Sequence, residues 1–161
     1  MSTRVFEASD IVEIAIRIEE NGSNFYKYAE QVAKQEEAKN LFAHLAVEET
    51  MHKKVFETLL AEIDKYNPPE RYEGEYNAYL RDYVDSNIVF TKEAMNKELS
   101  NIKDTVSALD FAIKRELDSI FYYHEIKRFV PEAQYPVIEQ IINEERKHFS
   151  ILSGIKKKYC S

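Results

Sequence analysis

The chain has 161 residues, of which 44% are hydrophobic and 32% charged, so the composition predicts one folded domain spanning residues 1–161. The formal net charge of −7 argues against nucleic-acid binding, and no apolar run or signal-peptide pattern indicates membrane insertion or export, which predicts a cytoplasmic protein. The single cysteine, Cys160, excludes an intrachain disulfide framework and a four-cysteine metal site.

Four long helical segments are predicted, because apolar residues recur at helical spacing and only three Gly and four Pro interrupt the chain. Ser9 and Thr105 are candidate N-caps. The segments run from about Ser9 to Lys34 (A), Glu37 to Lys65 (B), Thr105 to the residue before Pro131 (C), and Glu132 to Lys158 (D).

The connection between segments B and C, from Pro68 to Asp104, is too long for a structureless loop in a compact domain. Tyr76 to Tyr83 shows helical spacing, which predicts a short extra helix. A second short piece is predicted between Ser86 and Ile102.

The chain contains an internal repeat. Glu13–Glu19 in segment A resembles Asp110–Glu116 in segment C, and each copy continues with a small residue (Gly22, Ser119) and then a tyrosine. Segments A–B and C–D therefore read as two copies of one helical hairpin. The prediction is an all-α, four-helix bundle in which a long crossover joins the two hairpins.

The core-facing stripe of each segment contains carboxylates. Segments A and C each place one glutamate inward, and segments B and D each place a Glu-x-x-His pair inward. Equal distances from the two hairpin turns put all six side chains at about the same height in the bundle. The six residues are Glu19, Glu49, His52, Glu116, Glu145 and His148.

Four buried carboxylates at one level are costly unless they are neutralised. No Lys or Arg occupies a stripe position, whereas two divalent cations with bridging carboxylates would balance the charge. Imidazole and carboxylate ligands suit iron or manganese, and zinc is also possible. The alternative is a salt-bridged polar layer without metal.

Neighbouring residues leave the choice of carboxylates open. Glu20, Glu48 and Glu144 adjoin the chosen glutamates, and the last two could also face inward. Repeat symmetry favours Glu49 and Glu145, and the tyrosine spacing favours Glu19. His44 and His124 lack a glutamate three residues earlier, so they are interpreted as ordinary side chains. Both lie outside the predicted ligand set.

With these motifs in place, the sequence resembles the ferritin-like di-iron carboxylate superfamily, and within it rubrerythrin-like proteins. The resemblance covers both hairpins. It is carried by Ile18–Tyr26, Leu45–His52, Ala112–Tyr123 and Asn143–His148. It implies a ferritin-like fold, a centre of two iron ions held by the six residues named above, and bridging roles for Glu49 and Glu145.

The chain departs from rubrerythrins proper in two respects. It lacks the four cysteines of a rubredoxin domain, so the resemblance implies a separate electron donor such as a rubredoxin-like protein. It also has Ser119 where rubrerythrins tend to carry an additional carboxylate, which brings the site closer to the six-ligand pattern of bacterioferritin.

The expected function is oxidoreductase chemistry in which Fe(II) reacts with dioxygen or hydrogen peroxide. Tyr26 and Tyr123 are the candidate catalytic residues, as hydrogen-bond donors to a ligand carboxylate or as single-electron donors. The alternatives are iron binding or storage without turnover, and a helical interaction protein with a structural metal. A homodimer is the expected assembly.

Overall fold

A computed structural model describes residues 8–63 and 92–160, and all its regular elements in those ranges are helical. The four predicted long segments are confirmed, and α3 lies inside the predicted piece from Ser86 to Ile102. The helix predicted at Tyr76–Tyr83 falls outside the described residues. The α-helices are α1 (Ala8–Val32), α2 (Glu36–Ile63), α3 (Lys92–Leu99), α4 (Thr105–Ile126) and α5 (Tyr135–Cys160).

The four long helices form two hairpins that pack side by side, as the repeat predicts. Helix α1 packs mainly on α2, α4 packs mainly on α5, and α1 also contacts α4. The core consists of two apolar clusters, one containing Phe56 and Ile138 and the other containing Phe42 and Leu45. Along α2 the residues between Leu45 and Phe56 therefore cross a polar layer between the clusters.

The α1–α2 turn forms without Gly or Pro because α4 supports it. Lys34 donates its backbone N–H to the Thr105 hydroxyl over 2.9 Å, and that hydroxyl donates to the Gln35 side chain. The sequence predicted Thr105 as the N-cap of α4, and this prediction was wrong. Asp104 is the N-cap, since its carboxylate accepts the Ser107 N–H over 2.8 Å in a capping box. Thr105 is one residue further on, and its side chain makes a tertiary contact instead.

Two further helix starts differ from the prediction. Ser9 lies within α1, which already includes Ala8, so it is not a cap. Segment D was expected to start near Glu132, but residues Glu132–Gln134 form a 3-10 turn and α5 begins at Tyr135. Pro136 has no N–H to donate to the Glu132 carbonyl, so an α-helix cannot include that bond. The Tyr135 N–H bonds the Glu132 carbonyl instead.

No helix within the described ranges is both long enough and apolar enough to cross a membrane.

Candidate metal centre

The polar layer contains all six side chains that the stripes predict to face inward. Each is almost completely buried, with exposed fractions of 3% or less. By contrast, Glu20 is exposed, and Glu48 and Glu144 are half-buried, so the choice among neighbouring glutamates agrees with their burial. The buried residues are Glu19 on α1, Glu49 and His52 on α2, Glu116 on α4, and Glu145 and His148 on α5.

The six side chains form two overlapping groups that could each hold a metal ion. In each group, one ligand atom per residue lies within 4.8 Å of every other. Glu49 and Glu145 belong to both groups, which is the arrangement expected of carboxylates that bridge two ions. The first group is Glu19, Glu49, His52 and Glu145, and the second is Glu49, Glu116, Glu145 and His148.

Four buried atoms in this cluster have no hydrogen-bond partner within the described part of the chain: Glu19 Oε2, His52 Nδ1, Glu116 Oε2 and Glu145 Oε1. His52 Nδ1 and Glu145 Oε1 are 2.9 Å apart, yet their orientation does not satisfy hydrogen-bond geometry. Buried polar atoms are rarely left unpaired, because the lost hydration is costly. Orphaned oxygens and an imidazole nitrogen that converge on one region fit a set of metal ligands.

The outer nitrogen of each histidine contacts a carboxylate from the opposite hairpin. His52 Nε2 is 2.7 Å from Glu144 Oε2, and His148 Nε2 is 2.6 Å from Glu48 Oε2. These contacts fix both rings so that Nδ1 faces the cluster. The sequence indicates Glu48 and Glu144 only as rival ligands, because spacing along one helix does not show which side chains meet across the bundle.

Each of these two carboxylates is held by a residue one turn earlier on its own helix. His44 Nε2 lies 3.2 Å from Glu48 Oε1, and Gln140 donates to Glu144 Oε1 over 3.2 Å. Exposed His44 thus supports Glu48 and belongs to neither ligand group. Exposed His124 contacts Arg146 instead. Both histidines lie outside the ligand set, as expected.

The two inward tyrosines also pair across the hairpins. Tyr26 on α1 donates its hydroxyl to Glu116, and Tyr123 on α4 donates to Glu19. The predicted hydrogen bonds to cluster carboxylates are therefore present. Burial, followed by the nearby carboxylates, raises the pKa of both phenols well above the ordinary value, so both remain protonated donors.

The carboxylates of the layer differ in pKa. Burial, reinforced by the negative charges of Glu19 and Glu145, raises the pKa of Glu49 well above its usual range. Burial and the charge of Glu145 do the same for the pKa of Glu116. Without metal, both groups therefore tend to hold a proton.

Glu19 and His52 favour their charged forms in this layer, Glu19 the carboxylate and His52 the imidazolium. Burial alone would raise the pKa of Glu19, but the neighbouring carboxyl group of Glu49, the close imidazole of His52 and the hydrogen bond from Tyr123 lower it. Burial would lower the pKa of His52, but the close carboxylates of Glu145 and Glu19 raise it to about 12. In the metal-free layer, an imidazolium and protons on carboxyl groups thus balance the charge that dications would otherwise balance.

A pocket of about 330 Å³ connects the surface to the two histidines. His52 and His148, with Glu48 and Glu144, line the pocket on the side of the cluster. Half-exposed Met51 and Ile151 also line it. The pocket lies between α2 and α5 and gives a small molecule a route to the histidine side of the centre.

This chain is similar to known proteins over most of its length. A family model described as Rubrerythrin matches residues 10–156. The chain belongs to the rubrerythrin family. Among solved structures, the chain is similar to a protein of Thermotoga maritima described as a candidate ferritin-like diiron-carboxylate protein, with 27% sequence identity and a TM-score of 0.72. The similarity covers 97% of this chain and 98% of that one.

A comparison with curated protein sequences gives no significant match. The family membership confirms the resemblance that the sequence motifs indicated. Together with the buried Glu and His groups, it supports metal binding in the polar layer of this rubrerythrin-family chain.

Proposed function

We propose that the chain is a di-iron oxidoreductase in which two Fe(II) ions react with hydrogen peroxide or dioxygen. The observation that supports this most directly is the pair of overlapping ligand groups sharing Glu49 and Glu145. The proposed ligands are Glu19, Glu49, His52, Glu116, Glu145 and His148. When bound, the iron pair supplies two electrons, which with two protons reduce hydrogen peroxide to two water molecules.

The residues around the ligands have positioning roles in this proposal. Tyr26 donates a hydrogen bond to one oxygen of Glu116, and Tyr123 does the same for Glu19. The other oxygen of each glutamate, Oε2, is left for the metal. The same phenols are the candidates for single-electron donation. Glu144 Oε2 lies 2.7 Å from His52 Nε2, and the Glu144 side chain lines the pocket and is 33% exposed, so it can pass protons between solvent and the imidazole.

The carboxylates behind the histidines provide a first test. Changing Glu48 and Glu144 together to Gln removes the negative charge behind each imidazole but keeps the side-chain size. We expect Mn(II) affinity to fall by about 10- to 100-fold while two ions per chain still bind, because such outer carboxylates raise ligand basicity. Calorimetric titration measures both quantities. Glu20→Gln is the matched control, because Glu20 adjoins a ligand but pairs with Lys53 at the surface, and it should leave the affinity unchanged.

The proposed reaction is tested by loading metal-free protein anaerobically with two equivalents of Fe(II) and mixing it with hydrogen peroxide or with dioxygen. We expect iron oxidation at least about tenfold faster than for free Fe(II), and repeated turnover once a reduced rubredoxin is added as a separate donor. Oxidation no faster than that of free iron would refute the proposal. Fast oxidation without re-reduction by any donor would support iron binding without turnover, and sizing would then distinguish a dimer from a storage shell.

A further inference from the structure

The six proposed ligands are sealed from solvent, so a metal ion has to cross the outer part of the bundle to reach them. All six side chains have exposed fractions of 3% or less. Four of their atoms have no hydrogen-bond partner within the described part of the chain, which marks where an ion would come to rest. A buried metal site of this kind needs an entry path.

The pocket between α2 and α5 reaches the centre from the histidine side. His52 and His148 form part of its wall, whereas the four ligand glutamates, all of them among the described residues, do not. The two imidazole rings lie nearly parallel, with 21° between their planes and 5.8 Å between their centres. Each ring turns Nε2 towards a carboxylate of the pocket wall and Nδ1 towards a ligand carboxylate. The rings therefore stand between the pocket and the ligand glutamates.

Two carboxylates of the pocket wall are close both to solvent and to the ligand histidines. Glu48 on α2 and Glu144 on α5 are half-buried and line the pocket. Glu48 Oε2 lies 2.6 Å from His148 Nε2, and Glu144 Oε2 lies 2.7 Å from His52 Nε2. Carboxylate oxygens are suitable ligands for ions such as Mn(II) and Fe(II). These two residues can thus receive an ion from water directly beside its final ligands.

The size of the pocket fits a hydrated ion. Its volume is about 330 Å³. A water molecule takes about 30 Å³ in the liquid, so an ion with about six waters needs roughly 200 Å³. Dioxygen and hydrogen peroxide are much smaller, and as neutral molecules they gain little from carboxylate walls. Lys147 and the His52 imidazolium offset the charge of the two wall carboxylates, so the pocket offers an ion oxygen ligands rather than a strong net field.

We propose that this pocket is the port through which divalent metal ions enter and leave the buried centre, with Glu48 and Glu144 as the first oxygen ligands on the way in. The port rests on the ligand assignment of the proposed function, and it adds the route by which those ligands are filled. Blocking a route changes how fast an ion binds and leaves, but not how tightly it binds, because only the barrier is altered. Rates and affinity therefore give separate readouts.

The test narrows the mouth of the pocket without changing a ligand. Met51 and Ile151 line the pocket and are 59% and 47% exposed, so changing both to Trp adds bulk at the opening. The matched control changes Val47 and Leu117 to Trp. These two residues are 59% and 49% exposed and do not line the pocket.

Mn(II) is the probe, because the sharp electron paramagnetic resonance signal of the free ion is lost on binding. Stopped-flow mixing measures association, excess EDTA measures release, and calorimetry measures affinity. For Met51→Trp, Ile151→Trp we expect association and release each to be about tenfold slower, with two ions per chain still bound at the wild-type affinity. The Val47→Trp, Leu117→Trp control should match wild type in both rates and in affinity.

A reversible block decides the matter if the Trp pair fails to fold or alters the affinity. Met51→Cys in a Cys160→Ser background carries one thiol, since Cys160 is the single native cysteine. A bulky reagent attached to it through a disulfide should slow Mn(II) association about tenfold, and a reductant should restore the rate. The same label on Val47→Cys should have no effect. An unchanged rate in the labelled Met51→Cys protein would overturn the port.

Two other results would also overturn it. One is a pair of rates in Met51→Trp, Ile151→Trp equal to those of the control pair. The other is unhindered metal loading together with slower oxidation of the iron-loaded protein by hydrogen peroxide, because the pocket would then be the route of the oxidant. Failure of wild type to bind paired Mn(II) would count against the proposed function. Paired ions in wild type with no effect of either block would overturn the port alone.

Discussion

Changing Glu49 and Glu145 together to Gln is expected to abolish paired metal binding, with the affinity for Mn(II) falling on the order of 1,000-fold or more. Both ligand groups contain these two residues, so the double change removes two carboxylates from each group and leaves each with one carboxylate and one imidazole. Four carboxylates balance the charge of two dications. The two carboxylates that remain in the variant leave a surplus positive charge in a buried layer, and burying that charge costs several kcal/mol.

The single change Glu49→Gln should not lower the stability of the metal-free protein. Glu49 has a raised pKa, which means that its ionised form is unfavourable in the folded metal-free protein. A Gln of similar size relieves that cost, so the metal-free melting temperature should be equal to or higher than that of wild type. Wild type, but not the double variant Glu49→Gln, Glu145→Gln, should gain stability when Mn(II) is added, because a ligand that binds only the folded state stabilises it.

A matched control for this experiment comes from the preceding residue on each helix. The Glu48→Gln, Glu144→Gln protein carries the same substitutions beside the ligands and should keep two metal ions. If the Glu49→Gln, Glu145→Gln protein still binds two ions, the ligand assignment is wrong. Thermal unfolding and Mn(II) titration on both variants supply the comparison.

The second large effect is a steep loss of metal affinity on acidification. Metal must displace the proton of His52, whose pKa is raised to about 12, and protons that the raised pKa values of Glu49 and Glu116 retain. Affinity should therefore rise with pH, by about tenfold per pH unit for each proton displaced. Calorimetry in buffers of different ionisation enthalpy, at about pH 6 to 8, measures both the affinity and the number of protons released.

The stability of the metal-free protein should depend on pH in a related way. Raised carboxyl pKa values cost folding stability once the pH exceeds the ordinary value of 4.5, as the unfolded chain ionises more readily. The raised pKa of His52 contributes stability that is fully present below its ordinary value of 6.5 and is lost as the pH rises towards about 12. The gain in melting temperature on adding Mn(II) should thus increase between about pH 5 and 8.

Histidine variants separate these contributions. His52→Gln should reduce the number of protons released by one, in addition to weakening binding. His124→Gln removes an exposed imidazole that contacts Arg146 and belongs to neither ligand group, and should leave proton release unchanged. An affinity that does not vary with pH would contradict the charge distribution described for the metal-free layer.

The helix pairs and the composition of the polar layer could be predicted because they depend on local periodicity. Glu49 and His52 lie on the same face as Phe42 and Phe56 by spacing alone, and burying those apolar residues fixes the face. The helix ends were less predictable. Thr105 and Asp104 are both good capping residues, and a tertiary contact of Thr105 with the α1–α2 turn accompanies capping by Asp104.

The sequence by itself determined which residues face inward and at what height, since those follow from helical spacing and from the position of the turns. Only the tertiary structure decided what the long side chains reach. Glu144 contacts His52 across the two hairpins, Glu48 contacts His148 in the same way, and the ends of the Arg115 and Glu49 side chains both lie close to Gly22. Such contacts depend on how the two hairpins sit against each other, and no spacing within one helix contains that information.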